Sequence, residues 1–182
     1  MTKKAVSDVG ASVRARLQRI ARERGEDFQL MLTRYANERL LFCLASSRFA
    51  EQYVLKGAAL FTLWSGAPHR ATRDLDLLGF GDSSIDHVAE TFREVLSVDV
   101  PDDGVRFDLN TLAVGPIRLD QEYGAVRLEF VARITSAQVR LQVDIGFGDA
   151  ITPGPSDPPG PSALGVIVLS RNLMRALPFM RS

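Results

Sequence analysis

The stretch LKGAALFTLWSGAPHRATRDLDLLG, Leu55 to Gly79, decides how this chain is read. It joins a lysine–glycine turn to an apolar run, a short basic loop, and two aspartates one residue apart on an apolar background. In ATRDLDLLGF, Leu75 and Leu77 fall on one side and Asp74 and Asp76 on the other, the two-residue period of a β-strand. Acids in such a place have two readings. They are solvated charges on an edge strand, held by Arg70 and Arg73, or they are ligands for a divalent cation.

Working upstream, Val54 and Leu55 are strand-like, Lys56–Gly57 is a turn, and Ala58 to Trp64 is helix-competent until GAPH breaks it. A turn of this kind ahead of a helix offers backbone N–H groups and a positive dipole end to phosphate. Further upstream, Val9, Val13, Leu17 and Ile20 recur at helical spacing, with Arg14, Arg16, Arg19, Arg22 and Arg24 on the opposite face. Gly25 is the expected stop signal. A second helix is expected from about Phe28 to Ala45, so the chain opens with a helical hairpin. Its arginine stripe reads as a solvated face, with contact to RNA as the alternative.

Downstream, Ser83 or Ser84 is the expected N-cap of a helix with Ile85, Val88, Phe92, Val95 and Leu96 on one face. From Val105 the pattern turns to β, in the runs VRFDLNTLAV, GPIRLD, GAVRLEFVARI and QVRLQVDIGFG. In the last run Leu141, Val143 and Ile145 alternate with Gln142 and Asp144. The layout predicts an α+β fold, a mixed or antiparallel sheet with covering helices. Asp144, carried in on an adjacent antiparallel strand, would join Asp74 and Asp76. Two divalent cations roughly 3.5–4 Å apart need several oxygen ligands on one side, and carboxylates suit magnesium. Arg70 and Arg73 are placed to grip phosphate oxygens.

The segment TPGPSDPPGP, five of whose ten residues are proline, reads as an extended linker. The expected organisation is a domain over residues 1–152 with N-terminal helices to about residue 50, a linker over 153–161, and a non-native or disordered tail over 162–182.

Bulk composition constrains the rest. The 182 residues carry 46% hydrophobic and 24% charged side chains with a formal net charge of zero, so no nucleic-acid or membrane partner is demanded by charge alone. The single cysteine, Cys43, excludes an internal disulfide framework and a cysteine-based zinc site. No apolar run follows the basic N-terminus as in a signal peptide, and the longest apolar runs are too short for a bilayer. A cytoplasmic protein with no membrane partner is expected.

Taken together, YVLKGAALFTLW, HRATRDLDLLG and LQVDIGFGDAI resemble the AbiEii-type nucleotidyltransferases, toxins of abortive-infection and type IV toxin–antitoxin systems within the DNA polymerase β-like superfamily. The resemblance runs from the N-terminal helices to about Thr152. It implies a polymerase β-like core and metal-dependent transfer of a nucleotide from a nucleoside triphosphate (NTP) to an acceptor, which in some relatives is tRNA. It also implies Mg2+ or Mn2+, and a cognate antitoxin acting without a tight complex. Asp74 and Asp76 match the metal-binding pair and Asp144 the third acid, the set that would also be catalytic. Lys56 and Gly57 match the entry motif. Two departures stand out. Gly57, Ala58 and Ala59 supply no hydroxyl where the superfamily usually has one near the triphosphate. The chain also enters its proline segment where relatives continue into a helical part. The alternatives are an inactive truncated remnant of the same fold, or a module that binds RNA or a protein partner.

Overall fold

The computed structural model describes residues 8–56, 74–117 and 124–148, together with the backbone of 166–168. Its first element is helix α1, Val9–Arg24, whose N-cap Asp8 accepts a hydrogen bond from the Ala11 amide at 3.0 Å. Gly25 ends it in the left-handed region at φ 63°, which brings the Glu26 N–H to the Ala21 carbonyl at 2.9 Å. Helix α2, Phe28–Ser46, starts at once, capped by the Asp27 carboxylate on the Leu30 amide at 2.8 Å. The expected helical hairpin is therefore present, with a short turn holding the stop signal of one helix and the cap of the next.

α2 is buried on nearly every side, from Met31 to Ala45, because it lies between α1 and the sheet. Cys43 is one of its core residues, and burial pushes its thiol up to about 11, the state of an inert structural cysteine. A short 3-10 turn, Ala50–Gln52, leads into strand β1, Tyr53–Lys56. Strand β2 is Leu75–Gly79 and helix α3 is Ile85–Leu96. Ser84 holds the N-cap position of α3, but its hydroxyl makes no capping bond; its own amide donates instead to the Asp82 carboxylate at 2.8 Å. The inner face of α3 carries Val88, Phe92 and Val95, all fully buried, and Phe92 meets Tyr53 edge to face with centroids 5.4 Å apart.

Three long strands follow: β3, Val105–Pro116; β4, Ala125–Ile134; and β5, Ala137–Phe147. The run GPIRLD forms no separate strand among the described residues. Gly115 and Pro116 finish β3, and the Ile117 N–H bonds the Ala125 carbonyl at 2.9 Å. The last strand, β6, is Val166–Val168. The sheet order is β3-β4-β5-β2-β1-β6. β6 pairs antiparallel with β1 at the sheet's edge, and it falls within residues 162–182, the stretch expected as a non-native or disordered tail.

One expected pairing is corrected. Asp144 does not arrive on an antiparallel neighbour, because β5 runs parallel to β2. The cause is the path of the chain. α3 carries it back after β2, so β3 starts in the direction of β2, and the reversals into β4 and β5 restore that direction. The fold is a mixed sheet with the described helices packed on one face, an α+β architecture. Leu55, Leu75, Leu77, Leu128, Val143 and Ile145 face the helices and are almost wholly buried. By the pleat, their neighbours in sequence are turned to the other face. The Ala58–Trp64 helix, Gly57, Arg70, Arg73 and the proline-rich linker lie outside the described residues.

Candidate active site

Strand register places the site. Lys56 is opposite Asp76 across β1 and β2, Asp76 is opposite Asp144 across β2 and β5, and Asp144 is opposite Arg127 across β5 and β4. Directly opposed residues share a sheet face, so the four side chains form one row across four strands, with charges in the order plus, minus, minus, plus. All four are half-buried. The row lies on the face away from the helices, because Leu55, Leu75, Leu77, Leu128, Val143 and Ile145 take the other.

Asp74 stands one residue before β2 and is exposed. It lies close enough for its charge to act on both Asp76 and Arg127. Burial and the neighbouring Asp144 raise the Asp76 carboxyl above its ordinary 3.8, against the lowering effect of Lys56. The site thus holds more negative charge around Asp76 than its described cations offset.

Arg127 was not among the residues expected from sequence. Its Nε and Nη2 donate to the two oxygens of Asp144, each at 2.8 Å, in a bidentate fork. Gln142 Nε2 lies 3.5 Å from the same carboxylate. The only sequence signal was alternation in VRLEF, which puts Arg127 on the polar side of its strand. Its opposition to Asp144 depends on the β4–β5 register, which sequence does not display. Among the described residues, no three acid, histidine or cysteine side chains are gathered as a metal cage.

The donor chemistry nonetheless fits a divalent cation. Asp74, Asp76 and Asp144 are hard oxygen donors suited to magnesium or manganese, and Asp76 and Asp144 are direct partners on adjacent strands. A cleft of about 960 Å³ opens beside Asp74 and is lined by Asp27, Thr33, Glu129, Gln138, Arg140 and Gln142 among others. Its described lining carries more carboxylates than cations, so it has no pull on a phosphate backbone.

A mixed sheet with an acid pair on adjacent parallel strands, flanked by cations, is the framework of a nucleotidyltransferase-like protein. The family described as nucleotidyl transferase AbiEii toxin, type IV toxin–antitoxin system, matches residues 39–171, and the chain belongs to it. The match runs from α2 through β6. Among solved structures, the crystal structure of JHP933 from Helicobacter pylori is similar at a TM-score of 0.45 and 17% identity, covering 69% of this chain and 47% of that one. This chain therefore spans about half the length of JHP933. No curated protein matches the chain. No described helix is long and apolar enough to cross a membrane.

Proposed function

We propose that the chain transfers a nucleotide from an NTP to an acceptor hydroxyl, with RNA (tRNA among its forms) as the acceptor class and a cognate antitoxin opposing it without a tight complex. The observation that carries this reading is the row Lys56–Asp76–Asp144–Arg127, with Asp74 beside it. In the reaction the acceptor oxygen bonds to the α-phosphorus and the bond from that phosphorus to the bridging oxygen breaks. Pyrophosphate leaves, and the hydroxyl proton passes to water. Asp74 and Asp76, with Asp144, would hold Mg2+ or Mn2+, which supplies charge neutralisation at the phosphates and activates the attacking oxygen. Lys56 sits beside Asp76 and takes phosphate charge, as Gly57, Arg70 and Arg73 would from the segment between β1 and β2. On this reading the site works in the cytoplasm.

Asp76→Asn tests it. Transfer of a labelled nucleotide to total RNA should fall by about 100-fold or more, since one carboxylate of the pair loses its charge while keeping its shape. Undiminished transfer by Asp76→Asn would remove the row from the chemistry. A second reading, a fold that no longer transfers nucleotides, is favoured by one contact. Both oxygens of Asp144 are already taken by Arg127.

A further inference from the structure

That contact has an unusual place for an ion pair. Arg127 and Asp144 are direct partners in the antiparallel ladder of β4 and β5, which is already held by backbone bonds from Ala125 to Ile134. The pair is not needed to join the strands. Nor is it locked in the core, for the side chains keep 40% and 22% of their exposure. A guanidinium there can swing out without disturbing a packed side chain. What the pair does change is charge. Without Arg127, the third acid of the row would face Asp76 across adjacent strands with no opposite charge bonded to it.

We propose that Arg127 is a placeholder for the divalent cation. In the cation-free protein it occupies both oxygens of Asp144 and holds them beside Asp76. When a cation–NTP complex enters, Asp144 passes to the cation and the released guanidinium turns to the phosphate oxygens. The inference rests on the nucleotidyl-transfer reading for its ligand. The chemistry is matched at both ends, because the planar fork that fits a carboxylate also fits phosphate, as a lysine's point charge does not. Arg127 is thus a positioning residue for Asp144 and a second-state ligand for phosphate.

Two opposite effects follow from one substitution, and a purely structural role produces neither. Mn2+ alone, titrated calorimetrically into the full chain, should bind Arg127→Ala about tenfold tighter than the parent protein, since the competitor for Asp144 is gone. In an Asp144→Asn background the same substitution should give no gain. A non-hydrolysable NTP analogue added with Mn2+ should bind Arg127→Ala more weakly than the parent. Arg127→Lys, which keeps the charge and loses the fork, should give a smaller gain in Mn2+ affinity and serves if the alanine variant does not fold. Equal or weaker Mn2+ binding by both variants overturns the inference, as does a gain that persists with Asp144→Asn. Tighter Mn2+ binding in a protein that transfers no nucleotide upholds the placeholder and rejects the transfer reading instead.

Discussion

Asp103 lies partly buried at the turn before β3, where its carboxylate forms an ion pair with Arg39 of α2 and accepts the Val105 amide at 2.8 Å. Its backbone carbonyl takes the Tyr35 hydroxyl at 2.8 Å, and burial, with Asp103 beside it, pushes that phenol up to about 12. Burial also raises the Asp103 carboxyl above its ordinary 3.8, outweighing Val105 and Arg39, which pull it down. A carboxyl whose folded pKa exceeds its unfolded one binds its proton more tightly when folded. Its contribution to stability therefore falls as pH rises from 3.8 through the folded value. Replacing Arg39 with Met removes the guanidinium that offsets this charge. The substitution should cost about 3–5 kcal/mol at pH 7 and less at a pH below 3.8, under both the ordinary and the raised folded value, where the proton largely neutralises Asp103. Urea unfolding at the two pH values measures the difference. An equal cost at both would assign the loss to the guanidinium's contact with the Phe42 ring, whose centroid lies 4.6 Å from the guanidinium carbon.

At the scale of elements, the helical hairpin reaches the sheet through a close backbone approach. Gly104 sits at φ 77°, and a Cβ there would lie 2.6 Å from the Gly10 Cα and 2.9 Å from its amide nitrogen. Gly10 is the second residue of α1, so the start of that helix rests directly on the turn into β3. Gly104→Ala combines left-handed backbone strain with a clash against main chain that has no side-chain freedom to absorb it. The expected destabilisation is about 2–4 kcal/mol, read as a shift in denaturation midpoint at unchanged slope. Gly25→Ala is the matched control. It has the same backbone strain at φ 63° but nothing within 4 Å of the added carbon, so it should cost only about 1 kcal/mol. Equal losses at the two sites would mean that α1 does not need this contact.

At the scale of the whole molecule, β6 is far along the chain from its partner, with Val168 opposite Val54 and Val166 opposite Lys56. It covers the outer edge of β1, the strand that brings Lys56 to Asp76. Without it, the backbone groups of β1 on that side would form an open sheet edge. Deleting residues 162–182 should speed amide hydrogen exchange in Tyr53–Lys56 and leave β4 and β5 protected as before. Unchanged exchange in β1 would show that β6 does not hold that edge.

The sequence alone settled what local physics controls. The two N-terminal helices and the stop between them followed from helical spacing and from Gly25, and the polar face of β2 followed from the alternation of Asp74 and Asp76 with leucines. Alternation likewise put Asp144 on the polar face of β5, and the motif set sufficed to place the chain near its family. None of this displays which strands are neighbours, in which direction, or in which register. Those properties depend on contacts between residues far apart in the chain, so only the tertiary structure decided them. It set β5 parallel to β2, brought residues 166–168 back to β1, and paired Arg127 with Asp144. Alternation put Arg127 on a polar face but did not signal its partner, because an arginine on the polar face of one strand finds its acid only once the ladder beside it has closed.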